Sequence, residues 1–285
     1  MSDLRIATRR SKLALAQSMQ VREMLIAAHP GAEVSLVEVT TSGDRDRTSP
    51  VTTLTEVGAF VRAVQEAVLE GRADMAVHSC KDLPVRGPEG LVHFFPEREA
   101  PWDVLCGHDL ESLPEGATVG TGSPRRKAQL ILERPDVVVK GIRGNVETRL
   151  AKLQAGEYDA VVLAEAGLRR LGRSRDIAHR FSLDEMVPAP AQGALVVEAL
   201  AGSVSADLLA GVDDADVRRS VEAERALLAF TKAGCRSALG ALGETNGDTL
   251  RMTGFVEDER GHRRAVVEFA DGHHAARALQ AELGL

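Results

Sequence analysis

Short apolar runs rich in valine, isoleucine and leucine alternate with amphipathic segments along the first hundred residues or so of the chain. Such short runs are typical of buried strands, whereas the segments between them have the period of a helix. We predict strands over residues 4–8, 33–41 and 74–78 and helices over residues 11–28 and 59–70. This alternating order predicts a mainly parallel sheet covered by helices.

The same alternation starts again after Pro101. Ser123 is a predicted helix N-cap because it precedes Pro124, a residue favoured at the first helical position. Asn145 is predicted to begin the next helix, as Ser11 does near the start of the chain. The Pro-rich crossing 186–193 is a candidate hinge that returns the chain to the first domain. The predicted strands of this part cover residues 118–121, 136–140, 158–164 and 194–199.

The last seventy or so residues have a different pattern. A long helix over 214–230 precedes two strands, 250–259 and 262–270, and a closing helix. This is the pattern of a small α+β domain. The predicted fold class is therefore α/β, with two α/β domains around a cleft and a small C-terminal α+β domain. The predicted domains are 1–96 with 194–212, 97–193, and 213–285.

Composition narrows the function classes. The chain of 285 residues is 44% hydrophobic and 27% charged, which excludes wholesale disorder. Aromatic residues are only 3% and the net charge is −7, so neither nucleic acid nor an anionic membrane is an expected partner. No apolar run approaches the roughly 18 residues of a membrane span, and the charged start differs from a secretory signal. Three scattered cysteines predict a reduced, cytoplasmic protein without a metal site.

A local reversal of charge lies within this acidic chain. Residues 121–152 contain eight basic and three acidic side chains, and residues 169–180 contain five arginines and one acid. Most of these are expected on solvated helix faces, but Arg125, Arg126 and Arg143 lie in turns from a strand into a helix. Such turns favour anions, and arginine binds carboxylates or phosphates through two N–H groups. Because the glycine-rich nucleotide motifs are absent, a polycarboxylate is favoured over a nucleotide.

Two further segments carry candidate chemistry. Lys81 and Asp82 follow a predicted strand. They are either an ordinary surface ion pair or, if they lie at a cleft, a site where Asp82 stabilises a cation or transfers protons. Cys80 beside them is expected to be a buried apolar residue. Cys235 lies in a predicted loop over 233–240, next to Arg236. A neighbouring guanidinium lowers a thiol pKa, so Cys235 is either inert or a site of covalent attachment.

Seven stretches of the chain, in order, resemble the porphobilinogen deaminase (hydroxymethylbilane synthase) family. Each is a weak signal alone, but the set is specific and spans nearly the whole chain. The stretches are RIATRRSKLAL (5–15), DMAVHSCKDLP (74–84), VGTGSPRRKAQL (119–130), IRGNVETRL (142–150), YDAVVLAEAGLRRLG (158–172), PAPAQGAL (188–195) and AERALLAFTKAGC (223–235).

The resemblance implies three domains, two of them like those of periplasmic solute-binding proteins, in a monomer. It implies that four porphobilinogen molecules are deaminated and joined head to tail into linear hydroxymethylbilane. The product grows on a dipyrromethane cofactor, held by a thioether to the cysteine that matches Cys235. Each pyrrole carries two carboxylates, in agreement with the arginine-rich turns.

The resemblance also implies roles for individual residues. Asp82 matches the carboxylate that stabilises the azafulvene cation left when ammonia departs. Residues that match groups holding the cofactor carboxylates are Lys81, Ser123, Arg125 and Arg126. Residues that match groups positioning the incoming pyrrole and the growing chain are Arg9, Ser11, Arg143, Arg149 and Arg170. Lesser contacts are implied for Thr121 and Asp44 to the cofactor and for Gln17 to the substrate.

Two departures and two alternatives belong to this resemblance. Thr55-Glu56 stand where relatives have glycines in a loop over the active site, and Ala191 replaces a hinge glycine, which predicts a stiffer crossing. The alternatives are a cytoplasmic protein that binds carboxylates without chemistry and a relative that has lost activity. Cys235 and Asp82 distinguish the enzyme from a simple binding protein. A protein that only binds carboxylates needs neither a reactive thiol nor an acidic side chain among its basic ones.

Overall fold

The computed structural model describes residues 3–39, 55–231 and 238–285, without the side chains of residues 55–60. Contacts divide the chain into two compact units. The first unit is Met1–Arg98 with Ala194–Arg218, and the second is Glu99–Gly193 with Arg219–Leu285. The helices in the described part of the chain are all too short or too polar to cross a bilayer.

Three sheets and their helices make up the described residues. The strands are β1 (Leu4–Thr8), β2 (Val34–Glu38), β3 (Met75–Ser79), β4 (Leu91–Phe94), β5 (Asp103–Cys106), β6 (Thr118–Gly120), β7 (Val138–Lys140), β8 (Ala160–Ala164), β9 (Ile177–Arg180), β10 (Leu195–Leu200), β11 (Ala238–Asn246), β12 (Thr249–Asp258) and β13 (Gly261–Phe269). The helices are α1 (Lys12–Ala28), α2 (Thr55–Leu69), α3 (Pro124–Glu133), α4 (Val146–Gln154), α5 (Glu165–Arg170), α6 (Val204–Leu209), α7 (Ala215–Phe230) and α8 (Gly272–Glu282).

The first sheet has the strand order β2-β1-β3-β10-β4. β1 is parallel to β2 and β3, and β10 runs antiparallel to β3 and β4, so the chain returns to this sheet after the crossing. Ile6, Met75 and Leu195 are fully buried in its core. Ser11 caps α1 as predicted, since its Oγ accepts a hydrogen bond from the Ala14 N–H at 3.2 Å. β4 was not predicted.

The second sheet has the strand order β7-β6-β8-β5-β9, in which β6 is parallel to β7 and β8. Ser123 caps α3 and Pro124 begins it, as predicted. The helix predicted from Asn145 is α4, and Asn145 is its N-cap. β5, which runs antiparallel to its neighbours β8 and β9, was not predicted, and neither was β9. The predicted alternation of strands and helices is nevertheless confirmed for the parallel part of both sheets.

The third sheet is the antiparallel meander β11-β12-β13. Leu227 of α7 and Leu279 of α8 belong to the apolar cluster on one side of it. Phe255 packs with Ala128 of α3 and with Val187, in a separate cluster. The loop predicted over 233–240 is wrong from Ala238 onward, because β11 begins there. The predicted fold class, α/β sheets with an additional small α+β part, is confirmed; the three domain boundaries stay predictions.

A buried carboxylate lies inside the first sheet. Glu198 of β10 has no exposed surface, and Oε1 and Oε2 lie 3.0 Å from His93 Nε2 and His78 Nε2 respectively. Gln65 Nε2 donates to both oxygens at 3.0 and 2.9 Å. Burial alone would raise the pKa of Glu198, but contacts with the two histidines and Gln65 outweigh it and lower the pKa to about 2. We call these four residues the Glu198 cluster.

The Glu198 cluster predicts a specific sensitivity to acid. Because the pKa of Glu198 in the folded protein is below its ordinary value, ionised Glu198 stabilises the fold above that value, and this contribution is lost as the pH falls toward 2. Its size is on the order of 3 kcal/mol. From about pH 5 to about pH 2.5, the free energy of unfolding in urea should fall less for Glu198→Gln than for the unaltered protein. Equal losses would contradict this prediction.

Candidate active site

One edge of the first sheet collects predicted site residues. β1 and β3 are parallel neighbours, so their carboxyl ends meet at the same edge, where ligands of α/β sheets bind. Arg9 and Ser11 follow β1, and Lys81 and Asp82 lie in the 3₁₀ turn that follows β3. The Asp82 side chain is exposed there. The structure therefore brings four of the predicted residues to one edge.

The end of β3 is held in place by several contacts. Gln17 of α1 is buried, and its Nε2 donates to Ser79 Oγ at 2.7 Å. The Cys80 N–H donates to the Ala194 carbonyl at 3.0 Å, and the Leu83 N–H closes the turn by donating to the Cys80 carbonyl at 3.1 Å. Cys80 is fully buried, as predicted. Gln17 thus supports the strand end from which Lys81 and Asp82 extend, while its implied contact with substrate stays a prediction.

A second collection of site residues lies at the carboxyl edge of the second sheet. Gly120 pairs with both Lys140 and Val161, so the turns after β6 and β7 lie side by side. Thr121 is buried in the first turn and donates its N–H to the Lys140 carbonyl at 3.0 Å. Each turn leads into a capped helix, beginning at Pro124 or at Val146. Two helix N-termini at one edge offer backbone N–H groups and positive dipole ends to an anion.

Arg125 and Arg126 are buried in the first turn of α3 rather than free at its surface. Only 3% and 6% of their surfaces are exposed, and both contact Asp103 at the start of β5. Arg125 Nη1 donates to Asp103 Oδ2 at 2.6 Å and Arg126 Nε donates to Oδ1 at 2.8 Å. Arg125 and Arg126 also donate to the carbonyls of Val187 and Val162. Two guanidinium groups share one carboxylate, so this Asp103 centre carries one excess positive charge.

Asp103 and its contact with Gln192 were not predicted from the sequence. Gln192 Nε2 donates to Asp103 Oδ1 at 3.1 Å and to the Pro101 carbonyl at 2.8 Å. Burial opposes ionisation of Asp103, but the two arginines and Gln192 hold its pKa well below the usual range. An acid that begins an otherwise apolar run, as in DVLC, was the available signal. Such a charge needs a buried partner.

The remaining predicted arginines differ in exposure. Arg143 is exposed in the turn after β7, and Arg149 donates from Nε to the Gly144 carbonyl at 2.8 Å. Arg170 Nη2 donates to the Gly193 carbonyl at 2.8 Å. Burial lowers the pKa of the Arg170 guanidinium to about 10, although the Glu99 carboxylate opposes this shift. A bound carboxylate would favour the charged form of this desolvated group.

The crossing contains a residue in an unusual backbone conformation. Ala191 has a φ of 61°, the left-handed region that favours glycine, and it is buried. Its N–H donates to Glu224 Oε2 at 2.5 Å, and Glu224 Oε1 accepts the Gly243 N–H at 2.8 Å. The crossing is therefore tied to α7 and β11 of the same unit. The stiffening effect of Ala191 stays a prediction.

Substitution of Gly193 should cause a large loss of stability. It has a φ of +87°, and a Cβ there would lie 2.2 Å from the Glu99 carbonyl oxygen. Gly116 has a similar φ of +75° but nothing within 4 Å of such a Cβ, so it is a matched control. In urea unfolding, Gly116→Ala should cost about 1 kcal/mol and Gly193→Ala about 3 kcal/mol or more, because backbone must move. Equal losses of unfolding free energy in the two variants would contradict this prediction and show that the backbone around Gly193 moves at little cost.

Some predicted site residues and boundaries lie outside the described residues or at their ends. Asp44 and Cys235 lie outside them. α2 begins at Thr55, so the loop predicted at Thr55-Glu56 and the helix start predicted at residue 59 are both wrong for the backbone. Within the described ranges, no three His, Cys, Asp or Glu side chains are grouped so that they could hold a metal ion.

Comparisons with known proteins give the family. The family described as "Porphobilinogen deaminase, dipyromethane cofactor binding domain" matches residues 4–207. The porphobilinogen deaminase of Thermobifida fusca (strain YX) is 46% identical over 282 residues, covering 97% of this chain and 84% of that protein. This chain belongs to the porphobilinogen deaminase family.

Other members of the porphobilinogen deaminase family are comparably similar. The enzyme of Acidothermus cellulolyticus is 46% identical over 92% of this chain and 81% of its own length, and that of Roseiflexus castenholzii is 45% identical over 90% and 86%. Among solved structures, the BenM effector-binding domain with benzoate has a TM-score of 0.41 and 14% identity, covering 73% of this chain and 88% of that chain.

Proposed function

We propose that the chain is a porphobilinogen deaminase, which deaminates four porphobilinogen molecules and joins them head to tail into linear hydroxymethylbilane. The family match over residues 4–207, which includes the dipyrromethane cofactor-binding domain, carries this proposal. Relatives named for this activity match nine-tenths or more of the chain. We further propose a cytoplasmic monomer that requires neither nucleic acid nor a membrane.

The charge at the second sheet edge fits a dipyrromethane with its carboxylates. The Asp103 centre has one excess positive charge in a buried position at the N-terminus of α3, and an anionic ligand would balance it. Residues of this edge that would hold the cofactor carboxylates are Thr121, Ser123, Arg125 and Arg126. The family resemblance assigns the same role to Lys81. Asp44 would add a lesser contact and Cys235 the thioether. When bound, dipyrromethane supplies the primer to which pyrrole units are added.

Asp82 has the position expected of a group that acts on substrate. It is exposed in the turn that follows β3, directly after Lys81. Loss of ammonia from porphobilinogen leaves positive charge on the pyrrole and its methylene carbon, and a carboxylate held in place stabilises charge that develops in the transition state. Ionised Asp82 can also accept the proton that the pyrrole must lose after coupling.

The other site residues would bind substrate carboxylates from their own sheet edges. Arg9, Ser11 and Gln17 belong to the edge of the first sheet, and Arg143, Arg149 and Arg170 belong to the second unit. The guanidinium group presents paired N–H donors that match a carboxylate. Arg143 is the most accessible of the three in the second unit and would meet the growing chain with the least rearrangement.

The test combines intact mass with turnover. Purified protein is incubated with porphobilinogen, its mass is measured, and hydroxymethylbilane is assayed by mass spectrometry. The expected result is an added mass equal to two deaminated porphobilinogen units, together with product. If the protein binds porphobilinogen but forms neither adduct nor product, the carboxylate-binding alternative or an inactive relative replaces the proposed function.

A further inference from the structure

We infer that Glu198 is a positioning residue for Asp82, acting through His78. This inference rests on the proposed function of Asp82. None of the sequence motifs above assigns a function to Glu198, which is fully buried on β10. A buried carboxylate of this kind is costly, and well-packed apolar residues in its place are often neutral or stabilising. Apolar packing would serve stability at least as well, so a carboxylate at this position points to an additional requirement.

The register of the first sheet connects Glu198 to the end of β3. Glu198 pairs with Ala76, and His78 is two residues further along β3, on the same face of the sheet. His78 Nε2 lies 3.0 Å from Glu198 Oε2, and His78 is 7% exposed. The angle of this contact does not make it a hydrogen bond, so Glu198 and His78 interact through close approach and electrostatics. Four residues after His78, the chain reaches Asp82.

Three consecutive residues of β3 and its turn are held from different directions. Glu198 contacts His78 on the α2 face of the sheet at 3.0 Å, and Gln17 Nε2 donates a hydrogen bond to Ser79 Oγ on the α1 face at 2.7 Å. The neighbouring strand holds the Cys80 N–H through the Ala194 carbonyl. Successive side chains of a strand point to opposite faces, so the His78 and Ser79 contacts together prevent the strand end from rotating. The turn with Asp82 therefore leaves β3 in one fixed direction.

The two histidines of the Glu198 cluster provide a comparison, in which the His78 side chain is 6% exposed and the His93 side chain, which hydrogen-bonds Glu198, is 34% exposed. Both lie 3.0 Å from a Glu198 oxygen, but His78 precedes the Asp82 turn, whereas His93 lies on β4, on the far side of β10. A misplacement of about 1 Å costs ~100-fold in rate, so His78→Leu should lower kcat by ~10- to 100-fold with little change in KM. His93→Leu should keep kcat within about twofold. His78→Gln, which retains an N–H near the position of Nε2, should restore most of the activity.

The experiment measures kcat and KM for porphobilinogen, intact mass and circular dichroism for each variant. His78→Leu leaves Glu198 with fewer partners, so the double variant His78→Leu with Glu198→Leu provides a second route to a folded protein without the buried charge. We expect the double variant to be folded, to carry the cofactor mass and to remain slow. A fully active double variant, or an equal loss of kcat in His93→Leu, would overturn the positioning role. An unaltered protein without adduct or product would instead overturn the proposed function, and this role with it.

Discussion

Cys235→Ser protein should carry no covalent dipyrromethane and should make no hydroxymethylbilane. The thioether requires a sulfur nucleophile, and a serine hydroxyl is far weaker than a thiolate at neutral pH. Intact mass after incubation with porphobilinogen should equal that of the unmodified chain, and turnover should fall to background.

Cys106→Ala is the matched control for this substitution. Cys106 is fully buried on β5, and burial raises the pKa of its thiol to about 12, so it is no nucleophile at neutral pH. That variant should retain both the added mass and turnover. A Cys235→Ser protein with the full cofactor mass would place the attachment at another residue and remove the main argument that separates this enzyme from a carboxylate-binding protein.

Asp82→Asn should fold normally, acquire the cofactor more slowly and turn over at least ~100-fold more slowly than the unaltered enzyme, because its neutral amide cannot stabilise the developing cation. Asp82 is exposed, so its replacement leaves no cavity and no unpaired buried charge. The measurement is kcat at saturating porphobilinogen, with circular dichroism to confirm the fold. The loss should appear in kcat rather than in KM, since the charge develops after binding.

Asp74→Asn tests whether any acid near β3 has this effect. Asp74 directly precedes β3, at the opposite end from Asp82, and its carboxylate binds Arg5 at 3.1 Å. A partly exposed ion pair of this kind contributes little to stability, so Asp74→Asn should leave kcat unchanged. If both variants retain turnover, Asp82 has a structural function only, and the reactive carboxylate must be sought elsewhere.

Local features of the fold were predictable because their causes are local. Ser11, Ser123 and Asn145 cap helices in the structure because each side chain bonds to an N–H three residues away. The inner parallel strands β1, β3 and β8 stand out because both of their faces are largely buried, which gives continuous apolar runs. β5 and β9 have only four residues each, too few to establish a period.

The partners of buried charges were not predictable because they lie far away in the sequence. Asp103 binds arginines 22 and 23 residues away, and Glu198 contacts histidines 105 and 120 residues away. A sequence shows that a charge is present, but only the fold shows what neutralises it. Arg125 and Arg126 were therefore predicted from their place after a strand, whereas the carboxylate that holds them was missed.

The Asp103 centre constrains how this sequence can change through evolution. Replacing Asp103 alone by a neutral residue would leave two adjacent buried guanidinium groups without a protein counter-charge, which costs several kcal/mol. Replacing one arginine alone would remove the excess charge that an anionic ligand balances. Single substitutions at these three positions are therefore harmful in different ways. A tolerated substitution at one of them requires a compensating substitution at another. Among related sequences, a substitution at position 103 should therefore be accompanied by substitutions at positions 125 and 126.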